Sequence, residues 1–337
     1  MARVIEVREF GGPEVLVPRE VQEPAAGPGQ AVIAAGVADV LHIDTVIRAG
    51  RAARWFPVEP PYVPGNGVAG TVTSVGADVD PGLVGQRVVA HTSEAGTGGY
   101  TQRAVVAAGG LIPVPDEVSL ADAVAVLNDG ATALGLLAGT EVRAGDWVLI
   151  LGAAGGLGLL LTQLARARGG HVVAAMRVAG SVHGDQKAVQ VQAAGAGAVV
   201  DYSAPDWASR VVKVTGGTGP SVVFDGVGGS LGRKAFGITA PGGRFSAHGA
   251  ASGGFAPIDP AEAERRGIAV RGIDRVQFSP AEHGRYTALA LAEVAAGRLR
   301  PVIGQSYPLE RAADAHRGLE ERSAVGKTLL IADGPAA

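Results

Sequence analysis

The chain contains no cysteine. That absence excludes disulfides, and it removes thiolate from any metal site and from any nucleophilic mechanism. Lysine is almost as scarce: Lys187, Lys213, Lys234 and Lys327 are the whole set, and arginine supplies the rest of the positive charge. No apolar stretch runs for about 18 residues without Arg, Asp or a Gly/Pro break, so no transmembrane helix is expected. Arg3, Glu6, Arg8 and Glu9 stand where a secretory leader would be apolar, which makes the cytoplasm the expected location. A formal charge of −3 gives no electrostatic reason to expect a nucleic acid partner, and nothing marks a membrane partner.

What is present suits a large α/β protein. A length of 337 residues exceeds one ordinary core, so two domains are expected. Hydrophobic residues make up 47% and charged residues 18%, a balance that folds rather than staying disordered. The 52 glycines follow no Gly-X-Y repeat; they cluster at turns between apolar runs, as many strand–turn–helix junctions require. In the first third, short β-branched runs predict strands over 3–7, 31–35, 70–75, 87–90 and 101–106. A helix is predicted over 119–138, with Ser119 as N-cap and Asp122 as its capping acid. Strands then follow at 147–151, 171–176, 198–201, 221–225, 243–247 and 269–273, with helices at 157–168 and 186–194 between the early ones. Strands alternating with helices imply right-handed βαβ units and a parallel sheet covered on both faces. Helices over 280–296 and 309–321 precede a last strand, 326–331, expected to return to the first domain.

The most informative stretch is the turn Ala153, Ala154, Gly155, Gly156, Leu157, Gly158. A buried strand runs into it and a helix leaves it, so the unpaired amides at the helix start can seat a pyrophosphate. Glycine at 155 admits the phosphate, and glycine at 158 lets the helix pack on the strand. The second strand ends Ala175-Met176-Arg177 without the acid that an NAD site uses on the ribose 2′-hydroxyl. Arg177 and Lys187 are placed instead to meet a 2′-phosphate, which favours NADPH.

These blocks together resemble a known family. Its carriers are EFGGPEVL from Glu9, DTVIRAG from Asp44, PGNGVAGTVTSVG from Pro64, VGQRV from Val84, GGYTQ from Gly98, NDGATALGLL from Asn128, AAGGLG from Ala153, GAGAVVDY from Gly195, VFDGVGG from Val223 and PGGRF from Pro241. In this order they resemble the zinc-independent quinone oxidoreductase (zeta-crystallin-like) branch of the medium-chain dehydrogenase/reductase superfamily. The resemblance implies an α/β protein with a GroES-like β-rich catalytic domain, 1–124 and 266–337, and an inserted Rossmann doubly wound parallel-sheet domain, 125–265, with the active site in the cleft. It implies that Asn128, Thr132, Ala153, Ala154, Gly155, Gly156, Leu157, Gly158, Lys187, Tyr202 and Val227 line NADPH, with Lys327 near it. Zinc-dependent relatives carry Gly-His-Glu where this chain has Gly65-Asn66-Gly67, so no metal is expected. Where relatives read Asn-Pro-x-Asp-Thr, this chain reads DVLHIDT from Asp39, which loses an Asn and adds His42.

Without a metal, hydrogen-bond donors must stabilise the oxyanion that develops during hydride transfer. Candidates are His42, Asn66, Thr92, Tyr100 and Asn128. His42 and Asp44 sit two apart and on an extended segment would face the same way, so that Asp44 could raise the imidazole's pKa; alternatively Asp44 caps a helix over 45–49. The catalytic set expected is therefore His42, Asp44, Asn66 and Tyr100, with His91 and His248 read as loop or interior histidines. No Gly-x-Ser-x-Gly elbow follows a strand and no P-loop occurs. The leading expectation is an NADPH-dependent reductase of quinones or α,β-unsaturated carbonyls. Two others stay open: a secondary-metabolite tailoring reductase or cyclase, and an NADPH-binding protein without turnover. A homodimer is expected through the sheet edge around 244–273.

Overall fold

The computed structural model describes all residues except 94–96, 179–182 and 333–337. In chain order it runs β1 (Ala2–Val7), β2 (Leu16–Val21), β3 (Gln30–Val40), α1 (His42–Arg48), β4 (Gly67–Val75), β5 (Arg87–His91), β6 (Arg103–Ala107), β7 (Ile112–Pro113), α2 (Leu120–Leu127) and α3 (Asp129–Thr140). Next come β8 (Trp147–Leu151), α4 (Gly156–Ala167), β9 (His171–Met176), α5 (Gly184–Ala193), β10 (Ala198–Asp201), α6 (Trp207–Val214), β11 (Val222–Asp225), α7 (Gly229–Gly237), β12 (Arg244–Ala247), α8 (Pro260–Arg265) and β13 (Ala269–Gly272). The chain closes with α9 (Pro280–Ala295), β14 (Ile303–Pro308), α10 (Ala312–Glu320) and β15 (Lys327–Ile331). No single helix among the described residues is long and apolar enough to cross a membrane.

Two compact units result, Met1–Asn128 with Thr287–Ala337, and Asp129–Tyr286. In the first, a mixed sheet has the order β14-β15-β3-β4-β5-β7, with β6 also paired to β3 and β1–β2 forming a separate hairpin. The last strand returns as expected: β15 pairs antiparallel with β3, Leu329 opposite Asp39. The sheet's inner face buries Ile5, Val7, Ile33, Val68, Val88 and Leu330. In the second unit the parallel sheet has the order β10-β9-β8-β11-β12-β13. The chain leaves β8 outward on one side, then returns to β11 on the other, which puts the switch point of a doubly wound sheet between these two strands. Leu149, Val173, Val223, Phe236 and Phe245 fill the space between sheet and helices, Phe236 and Phe245 edge to face at 5.6 Å.

Three differences from the sequence reading have physical causes. The helix expected over 119–138 is two, α2 and α3, broken at Asn128. Its predicted start holds: the Ser119 hydroxyl accepts from the Asp122 amide at 3.0 Å and donates to the Asp122 carboxylate at 2.8 Å. The inserted unit runs to Tyr286 and not to 265, because β13 adds to the parallel sheet beside β12. And β3 is 11 residues long, carrying Asp39 into the sheet where the sequence reading ended the strand at 35. The loop expected over 178–185 falls largely outside the described residues.

The aromatic pair gives a direct check on the second core. Phe245→Ala is expected to cost about 3–5 kcal/mol through the lost burial and the cavity it leaves. Urea denaturation should show a lower midpoint at unchanged slope, whereas an unmoved midpoint would contradict the packing described.

Candidate functional site

Within the second unit, the ends of four neighbouring strands meet along one edge of the sheet. Leu151 on β8 is level with Ala175 on β9 and Asp225 on β11, and Asp225 is level with Ala247 on β12. The chain leaving β8 turns at Gly152, whose φ of +73° is a conformation that side chains resist. Gly155 is the N-cap of α4 and has no side-chain cap; a Cβ there would meet nothing closer than the Gly152 carbonyl at 3.5 Å. Helix geometry leaves the first amides of α4 without intrahelical acceptors. The turn is therefore open, and its amides can hold a dinucleotide's pyrophosphate. Gly158 serves packing: a Cβ there would lie 2.6 Å from the Ala153 Cα, too close for any side chain. Ala153 and Ala154 are buried behind the turn, and the Val227 side chain flanks it, 3.5 Å from where a Cβ on Gly152 would stand.

The residues expected at the cofactor's sugar phosphate divide. Arg177 follows β9 and is exposed. Lys187, on α5, is buried rather than a solvated surface cation. The next strand carries an acid that the sequence reading passed over: Asp201 ends β10, level with Met176. Its Oδ1 accepts from the Val178 amide at 3.2 Å, the Ser203 amide at 2.9 Å and the Ser203 hydroxyl at 2.6 Å, so this carboxylate is engaged in holding the backbone beside Arg177. Tyr202 is half-buried and its amide donates to the Met176 carbonyl. Thr132 is half-buried on α3. His248 follows β12, buried, its Nδ1 3.1 Å from the Ser246 hydroxyl, and burial pulls its pKa down to about 4.

The first unit holds the other expected residues. The pairing of His42 with Asp44 is corrected: α1 starts at His42, and on a helix residues two apart point to different sides. Asp44 accepts from the Leu41 amide at 2.8 Å, closing the N-terminus of α1, a helix that starts three residues earlier than the capping alternative supposed. Asp44 does not raise the imidazole of His42; desolvation first, then Arg322 and Arg51, lower its pKa against the weaker pull of Glu320. Asp44 and Tyr100 do not present themselves to a substrate. Both are buried, and the Tyr100 hydroxyl lies 3.1 Å from Asp44 Oδ2 and 2.9 Å from His316 Nε2.

The directions of these bonds follow from charge. The Tyr100 hydroxyl donates to Asp44, so it accepts from His316 Nε2–H. His316 Nδ1 is then the acceptor facing the Arg48 guanidinium at 3.5 Å, and Arg48 also donates to the Gly11 carbonyl and to Glu320. Four buried groups thus tie α1, α10 and the Tyr100 turn together. Burial, with the nearby Asp39 charge, pushes Asp44 up to about 7 against the pull of its hydrogen bonds; burial, helped by Arg48, lowers His316 to about 3. His316 was missed by the sequence reading, although its neighbours Ala312 and Ala315 mark the buried face of α10.

Asn128 and Lys327 both reach Asp39. The Lys327 ammonium lies 3.1 Å from Asp39 Oδ2 with both residues buried, and Asn128 Nδ2 donates to the same oxygen at 3.1 Å. Asn128 Oδ1 is 3.0 Å from His91 Nε2. Asn66 is half-buried; its carbonyl accepts from the Thr92 amide at 2.8 Å, while its side-chain Oδ1 and Asp39 Oδ1 are buried without a partner. The Thr92 hydroxyl is taken by the Thr97 carbonyl at 2.7 Å.

Comparison with known proteins agrees with the fold of both units. Residues 27–116 match the alcohol dehydrogenase GroES-like domain, and residues 194–330 match the zinc-binding dehydrogenase family. Human quinone oxidoreductase is 31% identical over 334 residues, covering 98% of each chain. A 2-haloacrylate reductase from Burkholderia is 33% identical over 342 residues, again with 98% of each covered. The Escherichia coli quinone oxidoreductase, solved in complex with NADPH, superposes with a TM-score of 0.87 at 27% identity, over 98% of this chain and 99% of that one. Zinc itself does not fit the residues present. There is no cysteine, and among the described residues no three His, Asp or Glu side chains gather closely enough to hold a metal ion.

The buried network predicts an acid-sensitive fold. Asp44, with its pKa raised above the ordinary carboxylate value of ~3.9, contributes stability at low pH that is lost as pH rises through about 7. His316 and His248 act the other way: their stability is present above the ordinary imidazole value of ~6.5 and is lost as pH falls towards about 3 and about 4. Two imidazoles outweigh one carboxyl, so these groups make stability fall on acidification from pH 6.5 to 4. In His316→Gln the fall should flatten, because one imidazole then balances one carboxyl; an unchanged slope would refute the assignment. Tyr100→Phe should cost about 1–3 kcal/mol at pH 7, by stranding Asp44 and His316.

Proposed function

The chain belongs to the zinc-independent quinone oxidoreductase branch of the medium-chain dehydrogenase/reductase superfamily, and on that premise we propose that it is an NADPH-dependent oxidoreductase passing hydride to a quinone or an α,β-unsaturated carbonyl. The observation that carries the reading is the open glycine turn between β8 and α4, whose amides carry no side-chain cap. Bound there, NADPH supplies the hydride; the remaining work is the protein's own. The α4 amides neutralise pyrophosphate without a lysine. The exposed Arg177, at the end of β9 where NAD enzymes place an acid, meets the 2′-phosphate, and Lys187 on α5 adds charge to it. Val227 flanks the turn beside Gly152. Among the described residues no set of His, Asp or Glu fits a zinc ion, so carbonyl polarisation falls to hydrogen-bond donors, with the Asn66 amide group a candidate. A relative that reduces 2-haloacrylate, named for an activated alkene, favours conjugate reduction alongside quinone reduction.

Fluorescence titration tests the cofactor assignment. NADPH should bind more tightly than NADH, and Arg177→Ala with Lys187→Ala should erase most of the difference, at about 1.5–3 kcal/mol for each lost phosphate contact. Equal binding of NADH by the natural protein would defeat the assignment. Tight NADPH binding with no consumption by any quinone or enone would replace the enzyme with a binding protein.

The same reading includes a homodimer. β13 is the outermost strand of the parallel sheet and Val270 on it is 39% exposed, an edge that a second copy can cover by strand pairing. Light scattering should give twice the 33.7 kDa chain mass. Val270→Pro, which removes an amide from the edge, should shift the protein towards the monomer; a natural protein that is monomeric at micromolar concentration would end this part of the proposal.

A further inference from the structure

Arg177 lies one residue beyond the end of β9, whose pairing with β10 stops at Met176 opposite Asp201. The direction in which a side chain leaves the chain is set by φ and ψ, and so by the peptide planes on either side of it. Around Arg177 both planes are held. The Met176 carbonyl, in the plane before it, accepts from the Tyr202 amide at 3.0 Å. The Val178 amide, in the plane after it, donates to Asp201 Oδ1 at 3.2 Å. A continuing parallel strand would offer that amide a backbone carbonyl, and here a carboxylate takes the carbonyl's place.

The carboxylate is itself held. Ser203 donates to the same oxygen twice, from its amide at 2.9 Å and from its hydroxyl at 2.6 Å, closing a turn over the end of β10. On its other side Val178 meets α5: Gly184 is the first residue of that helix, and a Cβ on it would overlap the Val178 carbonyl. Val178 is thus fastened through its amide to β10 and packed through its carbonyl against the start of α5. Arg177 is exposed, so its guanidinium reaches out from a backbone that cannot turn.

Charge alone gives no reason for an acid here. A carboxylate beside a phosphate site opposes the charge of the phosphate. The acid that reads a ribose 2′-hydroxyl belongs at the end of the preceding strand, β9. What Asp201 supplies is one acceptor shared by Val178 and Ser203, and the consequence is a fixed departure direction for Arg177. A contact ordered before the ligand arrives binds more tightly, because less freedom is lost on binding.

Resting on the reading of Arg177 as a contact to the 2′-phosphate, we propose that Asp201 is a positioning residue for cofactor choice: its carboxylate fixes the backbone on which Arg177 stands, and so strengthens the hold on NADPH over NADH. The effect has the opposite sign to the one that its charge would give.

The ratio of the NADH to the NADPH dissociation constant, read by nucleotide fluorescence, tests this. Asp201→Ala should lower the ratio by ~10-fold through weaker NADPH binding, with NADH binding unchanged. Asp201→Asn keeps an oxygen that accepts from Val178 and Ser203, and should keep the natural ratio. On an Arg177→Ala background Asp201→Ala should move the ratio by less than ~2-fold, because the two residues act as one. An unchanged or higher ratio in Asp201→Ala overturns the proposal, the higher one making Asp201 a repelling charge. Equal weakening of both nucleotides also overturns it, as a general loss of structure around the turn. So does a loss in Asp201→Asn as large as in Asp201→Ala, or a full further loss on the Arg177→Ala background. The underlying reading fails separately. A natural protein without preference for NADPH, or a preference that survives Arg177→Ala intact, removes the phosphate contact and with it the positioning role of Asp201.

Discussion

A helix cannot satisfy its own first amides, and the second unit is arranged around leaving those of α4 uncapped. Every requirement of that arrangement is a requirement for absence. Gly152 must adopt a φ of +73°, Gly155 must leave room in front of the amides, and Gly158 must let α4 lie against Ala153. A serine or aspartate in place of the N-cap Gly155 would stabilise the helix by only about a few tenths of a kcal/mol, and it would occupy the donors that an anion needs. The helix gives up that stabilisation, and burial of α4 on the sheet through Leu159, Leu160 and Leu161 compensates for it. The site is thus a defect in capping that the surrounding core makes tolerable.

The first unit solves the opposite problem. Its interior contains charges, and each dictates the direction of what it touches. Asp39 turns Asn128, which turns His91; Asp44 turns Tyr100, which turns His316, which faces Arg48. In both chains a carboxylate that can only accept is the fixed end, and the polarity of every later bond follows from it. The two chains differ in where they lead. One ends on Arg48 and Glu320 between α1 and α10 and pins helices; the other ends on a half-buried imidazole.

This contrast also explains what could be read from the sequence. The glycine turn was legible because its meaning is local: strand, turn and helix lie within about a dozen consecutive residues, and the glycine spacing carries their geometry. The parallel strands were legible as short apolar runs between glycines, and the return of the last strand as an isolated β-run at the end of the chain. For His42 and Asp44 the sequence left facing and capping both open, because a spacing of two has meaning only once the period is known, and α1 is too short for its apolar residues to declare one. The break at Asn128 left no mark, since α2 and α3 are each good helical sequence. Asp39, Lys327 and His316 act through partners far away in the chain, such as the 216 residues between Tyr100 and His316. Their one local signal was a charged or polar residue inside an apolar pattern: Lys327 opening the strand at 326–331, and His316 after Ala315. Such residues mark a buried polar partnership without saying with whom.

The division between local and distant encoding bears on how this scaffold diversifies. The dinucleotide turn depends on a few neighbouring glycines, so it can persist when the rest of the chain drifts. The polar row of Asp39, His91, Asn128 and Lys327 depends on residues from β3, β5, α2 and β15 agreeing at once, with Gly67 vacating the space between them. A single substitution in it leaves a buried charge or amide unpaired, which costs more than most surface changes. Such a row can be gained or lost only as a set.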